Sequence, residues 1–464
     1  MAKQTSTESK SGFGSKLGFI LAASGSAVGL GNIWRFPYLA AKYGGGVFLL
    51  MYIILAVTFG FSLLLTEVAI GRRTRKSVIG AYTEINKKFS PLGWLASAVP
   101  VIITPYYCVI GGWVLRYLWA YLGNLKELAA GTGAENTFGT EFFSDFIGQV
   151  QSPTVFFLIF LGLTVLVVIL GVQKGIERIS KVLMPLLVLL TVGISIYTLT
   201  LKGAAEGLKY YLLPDFTGFT LTKFLKTAAA AMGQLFYSMS IAMGIMVTYG
   251  SYMRKEDHLE QSVRHIELFD TGIAVLAGMI IVPAVFVFSG GDASALNAGP
   301  SLMFITLPNV FHSMAGGQLV GAAFFLLVAL AALTSAISLA ETVVSIIMER
   351  FHMKRIAACC ITFGICLVLG MLSVLGYSSW SEITIFGMQF LDFFDFISNN
   401  LMMPIVALLT CILIGWVAKT SFVEDEVRVS APKFRSAMLL RIMLRYVCPV
   451  CMVIILLTPF VTEI

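Results

Sequence analysis

Stretches of about 20 apolar residues recur from one end of this chain to the other, each long enough to cross hydrocarbon as a helix. Their limits fall near 17–41, 45–70, 95–122, 154–172, 182–201, 226–252, 266–289, 318–349, 357–376, 389–417 and 438–460. A water-soluble fold has too little interior to hide eleven such segments. With 58% of its 464 residues hydrophobic and 12% charged, the sequence reads as an all-α polytopic membrane protein. Its first residues, MAKQTSTESKSGFGSK, are polar and carry no secretory cleavage site.

The net charge of +7 invites a nucleic-acid reading, but the basic residues sit in alternate loops. Six Lys/Arg follow span 2 in GRRTRKSVIGAYTEINKKFS, whereas the loop after span 3 has Lys126 against Glu127, Glu135, Glu141 and Asp145. Basic residues return after span 4 (Lys174, Arg178, Lys181), span 6 (Arg254, Lys255), span 8 (Arg350, Lys354, Arg355) and span 10 (Lys433, Arg435, Arg441). The positive-inside rule makes these loops cytoplasmic, with the N-terminus inside and the C-terminal PFVTEI outside. The seven cysteines, including Cys359–Cys360 and the CPVC at Cys448–Cys451, lie almost wholly in apolar runs and read as small packing residues. The four histidines show no ligand spacing.

Two spans are interrupted in matching ways. Span 1 contains SAVGLGNIWRFPY, residues 26–38; span 6 contains GQLFYSMSIAMGIMVTYGSY, residues 233–252. Paired interruptions five spans apart point to a transporter built from inverted repeats. The division is then a cytoplasmic N-terminal segment (1–16), a first five-helix repeat (17–201), a second, inverted one (226–417), and an eleventh helix with the extracellular C-terminus (438–464). An unwound stretch in lipid is tolerated only where protein, water or ligand satisfies its backbone. It also creates a helix N-terminus that attracts anions, and freed carbonyls that attract cations. Gly25, Gly29 and Gly31 permit such a geometry, and Asn32 adds a neutral oxygen for a hard cation. The competing reading of these glycines is close helix packing; the matched break in span 6 and the adjacent polar residues argue against it.

Other polar groups lie inside apolar spans: Thr334, Ser335 and Glu341 in span 8, Tyr106 and Tyr107 in span 3, Asp270 in span 7, Asp392 and Asp395 in span 10, and Arg35 in span 1. The hydroxyls of Thr334 and Ser335 either bond back to their own helix or serve a ligand. The tyrosines either pack or bind. Intramembrane charges are functional candidates, and Arg35 calls for a span 10 aspartate as partner.

Taken together, GSAVGLGNIWRFPY, GIERISKVLMP, GQLFYSMSIAMG and ALTSAIS resemble the neurotransmitter:sodium symporters, in their bacterial amino-acid (LeuT-like) branch, over nearly the whole chain. The resemblance implies the LeuT fold, a 5+5 inverted repeat with discontinuous helices 1 and 6, here with an eleventh helix and no twelfth. It implies sodium-coupled uptake of an amino acid across a bacterial inner membrane, by a monomer or weak dimer with no organic cofactor. One sodium site would use Ala27, Asn32, Ser238, Asp270 and the substrate's carboxylate. The second would use carbonyls of Gly25, Val28 and Ala331 with the hydroxyls of Thr334 and Ser335. The substrate carboxylate would meet the amides of Leu30 and Gly31 and the Tyr107 hydroxyl; the carbonyls of Ala27, Tyr237 and Ser238 and the Ser240 hydroxyl would meet the ammonium, and Ser26 is a further substrate-binding candidate.

Monoamine members place an aspartate where this chain has Gly29, so the resemblance favours a zwitterionic amino acid. Ile103, Tyr107, Tyr237, Met243, Ser335, Ala336 and Leu339 would line an uncharged side-chain pocket, suited to a hydrophobic residue, leucine-like or tryptophan-like. Tyr52, Gln234 and Ser238 match three chloride-site positions of relatives; the span 7 serine is replaced by Ile273 or Ala274, and Asp270 lies about one turn away, which implies chloride independence. Arg35 and Asp395 match an outer gate pair, with Tyr107 and Phe236 beneath it; Lys10 and Glu349 match an inner pair, flanked by Phe13 and Tyr252. Gly175 and Pro185 match a span 5 motif where the helix unwinds, or else mark an ordinary helix entry. Rival readings are a proton-coupled transporter of the same fold, a non-transporting amino-acid sensor, a channel, and, least supported, a membrane enzyme, since no nucleophile–base or metal constellation occurs.

Overall fold

The computed structural model describes residues 12–123, 138–288, 301–314 and 316–461. Among these it is helical almost throughout, with a single isolated bridge between Ile385 and Met388. Nine continuous helices are long and apolar enough to cross a membrane: Gly46–Thr74, Lys87–Gly123, Gln151–Ile169, Val172–Leu199, Leu259–Val287, Gly317–Phe351, Arg355–Tyr377, Phe390–Val417 and Ala437–Leu457. These are spans 2, 3, 4, 5, 7, 8, 9, 10 and 11. Span 1 is the pair Lys16–Ala27 and Gly31–Lys42, bent by 55° at its break. Span 6 is likewise split, into Leu221–Ser238 and Ile245–Tyr252.

Spans 3, 5 and 7 begin seven to ten residues earlier than the apolar runs indicate. Their first turns carry polar and charged residues, so hydropathy alone underestimates the helix. Span 5 opens with a π-helical turn over Val172–Glu177, and Pro185 lies inside the helix that follows. Here the Gly175 region is therefore wound, as a π-turn that removes one regular backbone bond.

The two interruptions differ in kind. In span 1 the helix ends at Ala27, Val28 turns extended (φ −75°, ψ 97°), and winding resumes at Gly31 as a π-turn. In span 6, Ser240 (φ 54°), Ala242 (φ 64°) and Gly244 (φ 72°) all adopt positive φ. Two of these are not glycine, and such strain persists only where the surroundings hold it in place. Here Glu67 of span 2, fully buried, accepts the Ala242 N–H at 2.7 Å.

The N-terminal end of span 1 is tied down. Phe13 N–H donates to the Tyr252 carbonyl at 3.0 Å, and the Phe13 ring meets Phe19, Tyr249 and Tyr252 edge-on. Glu177 accepts from the Gly14 amide and the Ser15 hydroxyl, each at 2.7 Å. Tyr252 also donates to Glu341 at 2.8 Å, and Arg355 at the start of span 9 pairs with the other Glu341 oxygen. Outward-facing leucines, isoleucines and valines of spans 4, 5 and 11 (Leu163, Leu166, Val182, Leu189, Ile196, Val450, Leu457) are exposed, which is what a lipid-facing surface requires.

Candidate binding site

The two breaks meet at mid-span. The Ser240 hydroxyl donates to the Ser26 carbonyl at 3.0 Å, joining the unwound part of span 6 to the last turn of the first half of span 1. Around this junction lies a pocket with about 340 Å³ of empty space. Of the residues proposed for the substrate, Ser26, Ala27, Gly29, Leu30, Gly31, Ile103, Tyr107, Tyr237, Ser238, Ser240, Met243, Ser335 and Leu339 line it. Phe236 and Ala336 do not. The Phe236 ring packs beside Phe59, ring centroids 6.2 Å apart, and Ala336 is fully buried in span 8. Ile245 lines the pocket and was not anticipated, because it starts the resumed helix and reads as an ordinary span residue.

The glycines are required by their neighbours. A Cβ on Gly29 would lie 2.8 Å from Ser335 Oγ and 2.9 Å from Tyr107 Oη; one on Gly31 would lie 2.5 Å from the Tyr237 ring. The Leu30 amide donates to the Tyr107 hydroxyl oxygen at 3.3 Å, which leaves that hydroxyl's own proton beside the N-terminal end of the resumed helix. Amide and hydroxyl donors at a helix start favour a carboxylate.

Two oxygen clusters flank the pocket. In the first, the Ser335 hydroxyl lies within reach of three span 1 carbonyls: Gly25 (3.3 Å), Ser26 (3.1 Å) and Val28 (3.3 Å). Thr334 bonds back to the carbonyls of Leu330 (3.1 Å) and Ala331 (3.0 Å), and its Cβ would be 3.1 Å from a Cβ on Gly25. Thr334 therefore satisfies its own helix while Ser335 reaches across to span 1. In the second cluster, Asp270 is wholly buried and accepts from Ser238 Oγ at 2.6 Å and Asn32 Nδ2 at 2.7 Å, with the Tyr52 hydroxyl at 3.4 Å. Asn32 Oδ1 accepts the Gly29 amide at 3.1 Å and keeps its second lone pair for a cation. Gln234 Nε2 donates to the Gly31 carbonyl at 2.9 Å. The Asp270 carboxylate thus occupies the point on which the Tyr52 and Ser238 hydroxyls converge. Both clusters present only oxygen, the donor set of a hard cation. No group of three or more His, Cys, Asp or Glu suited to a metal occurs among the described residues.

The outer gate differs from the expected ion pair. Arg35 lies over the Tyr237 ring at 5.3 Å, and Asp395 accepts from Asn399 (2.6 Å) and Tyr106 (3.1 Å). No ion pair within 4.0 Å joins Arg35 to Asp395 among the described residues. The reason is competition: neutral donors satisfy the carboxylate and an aromatic face holds the guanidinium. At the inner side, Lys10 lies outside the described residues. Glu349 accepts the Ser77 amide at 2.7 Å. The inner contacts that sequence reading left without a role are Glu341, with Tyr252 and Arg355, and Glu67; a buried carboxylate in an apolar span was the available signal.

Comparison with known proteins gives the context. The model of the Sodium:neurotransmitter symporter family matches residues 10–141 and 141–463. The chain belongs to this family. The symporter is 38% identical to the uncharacterized sodium-dependent transporter YhdH of Bacillus subtilis over 89% of each chain. It is 33% identical to an uncharacterized sodium-dependent transporter of Haemophilus influenzae, covering 97% of this chain and 98% of the other. The crystal structure of MhsT in complex with L-phenylalanine superposes on the symporter with a TM-score of 0.85 at 36% identity, over 97% of this chain and 99% of that one. The architecture is the LeuT fold, and the protein is a sodium-dependent symporter.

Proposed function

We propose that this symporter moves a zwitterionic, hydrophobic L-amino acid inward with sodium by alternating access, with no need for chloride. The observation that carries the reading is the crowding at Gly29. Hydroxyls of Ser335 and Tyr107 fill the place of any side chain there, so the cargo must bring its own carboxylate. Ile103, Met243, Ile245 and Leu339 supply an apolar lining, which suits an apolar side chain. A relative of the same fold binds L-phenylalanine, in keeping with this.

Two sodium sites correspond to the two oxygen clusters. At the Asn32–Asp270 cluster, the substrate carboxylate would share the ion, so each ligand raises the affinity of the other. The fixed charge of Asp270 takes the part that a chloride ion would play. Sodium supplies the driving force: each net charge moved inward gains about 2.3 kcal/mol per 100 mV. Spans 1–5 and 6–10 form the two repeats, and spans 1, 2, 6 and 7 rock against the rest. The protein resides in a bacterial inner membrane with its N-terminus inside, as a monomer or weak dimer.

Uptake into liposomes by the purified protein tests this reading, with a panel of labelled amino acids in sodium or potassium medium and with chloride replaced by gluconate. Accumulation of a hydrophobic amino acid only with sodium, unchanged in gluconate, is expected. Accumulation driven by a proton gradient without sodium would point to the proton-coupled alternative, and binding without accumulation to a sensor.

A further inference from the structure

Between spans 10 and 11 the chain forms a short helix, Ser421–Arg428, and then an irregular stretch up to Ser436. Two carboxylates on that helix, Glu424 and Glu426, are almost wholly buried and serve different partners. Glu426 meets Arg72 at the end of span 2, Nε to Oε1 at 2.7 Å, and Lys255 of the loop between spans 6 and 7 at 2.8 Å. Arg72 also donates to the Glu426 carbonyl, to the Asp257 carbonyl at 2.7 Å and to Ser430 Oγ at 3.4 Å. Glu424 instead takes the Arg441 fork of span 11, at 2.7 and 2.6 Å.

The two clamps are unequal. The Arg72 side chain is fully buried and that of Glu426 is 4% exposed, so parting them would strand a guanidinium away from water. The Arg441 side chain is 52% exposed, where water and salt weaken an ion pair. More of the segment is tied to the Arg72 side. Val423 and Val427, one turn apart, are fully buried, and the helix packs on the end of span 2. The Arg73 guanidinium lies 4.2 Å from the Phe422 ring centroid. Farther along, span 7 takes over: the Leu259 amide donates to Ser430 at 3.4 Å, the Ser436 hydroxyl and amide donate to Glu260 at 2.6 and 3.2 Å, and Arg264 reaches Ser436 at 3.2 Å. Ahead of the helix, residues 418–420 form a turn in which Lys419 is left-handed (φ 66°), which separates the helix from span 10. Behind it, a turn at 435–436 leads into span 11.

On the reading that spans 1, 2, 6 and 7 rock against the rest, we propose that residues 421–436 travel with spans 2 and 7 as one body. The body is hinged at 418–420 and where Ser436 meets span 11, and the Glu424–Arg441 contact is the catch that parts on each cycle. In sequence the segment merely connects spans 10 and 11, which stay behind. Its polar contacts assign it to the moving set, because the buried clamp outlasts the exposed one. The moving and static sets are then joined by a link that yields at its solvent-washed end.

Cross-linking the full-length protein tests this, in a Cys360→Ser parent whose other six cysteines are buried. A short, reducible bifunctional methanethiosulfonate joins Arg73→Cys to Phe422→Cys, or Arg428→Cys to Arg441→Cys. The native side chains of that second pair are each about half exposed and both meet Glu424 Oε2. Sodium-driven amino-acid uptake into liposomes should continue with the first link, fall to the level of empty liposomes with the second, and return on reduction. Sodium-dependent amino-acid binding, measured before and after linking, checks the fold; Asp425→Cys with Arg441→Cys repeats the second test should the Arg428→Cys pair fail that check. Uptake stopped by the first link, or unmoved by the second, overturns the assignment of the segment to the moving set. An unlinked parent that binds the amino acid but drives no uptake overturns the transport reading itself, and this motion with it.

Discussion

Asn32 on span 1 and Asp270 on span 7 are joined by a hydrogen bond of 2.7 Å, and Asp270 is wholly buried. A buried carboxylate is costly unless donors or a cation compensate it. Asn32, Ser238 and Tyr52 supply the donors, and sodium would supply the charge. Asp270→Asn should therefore weaken sodium-dependent substrate binding by about tenfold or more, on the scale of a lost charged contact. Because the lost charge can be replaced by a mobile anion among Tyr52, Ser238 and Gln234, part of the loss should return when gluconate is exchanged for chloride. Scintillation-proximity binding over a sodium titration in each anion measures both effects. Full sodium dependence in the variant would remove Asp270 from the ion site.

The Gly29 position predicts a steep response to one carbon. Gly29→Ala places a methyl 2.8 Å from Ser335 Oγ and 2.9 Å from Tyr107 Oη. Both hydroxyls must move, so substrate affinity should fall by more than tenfold, comparable to an overpacked core. Sodium-induced thermal stabilisation, which needs no substrate, should survive. Isothermal titration of the preferred amino acid, beside a sodium melting series, separates the two.

Glu341 offers a prediction about stability. It is fully buried and paired with Arg355, and it also accepts the Tyr252 hydroxyl. Removing one member of a buried pair strands the other, typically at a cost of about 3–5 kcal/mol. Arg355→Gln alone should therefore lower the melting temperature markedly. Adding Glu341→Gln should recover much of the loss by neutralising the stranded charge. A double variant no more stable than Arg355→Gln would show that the pair is not energetically coupled.

Acid sensitivity is expected on the loop after span 10. There the Arg441 fork, at 2.7 and 2.6 Å, and the Thr420 hydroxyl hold the Glu424 carboxyl below the usual carboxylate range. A depressed folded-state value means the stabilisation is present above the unfolded pKa of about 4.3 and is lost as pH falls through the lower, folded one. Arg441→Gln should lower the melting temperature at neutral pH and flatten its decline below about pH 4. Parallel acid limbs in variant and wild type would exclude this pairing as a contributor.

The polytopic helical architecture and both breaks were legible because each rests on a local property: long apolar runs, or glycines and polar residues inside them. Thirteen substrate positions that line the pocket were legible through the family motifs around the breaks. Phe236 and Ala336, drawn from the same motifs, are not among the residues that line it, since a motif conveys proximity in sequence and the rotation of each side chain depends on tertiary partners such as Phe59. The Arg35–Asp395 pair rests on the family resemblance and on complementary charge. Tyr106 and Asn399, which occupy the carboxylate, come from two different spans, and no pattern in either one reveals the competition. Positive φ at Ser240 and Ala242 was likewise invisible, because neither residue type signals it.

Between Phe13, clasped by Tyr252, and Arg35, resting on Tyr237, a single length of backbone runs past both oxygen clusters. Each end touches span 6, which is broken at the same depth. Under the alternating access proposed above, a leak would require both ends of this segment to come free at once, and a tilt that releases one end would press the other home. Fidelity of exchange is then a property of chain continuity, set by how stiffly the few residues from Val28 to Leu30 transmit that tilt.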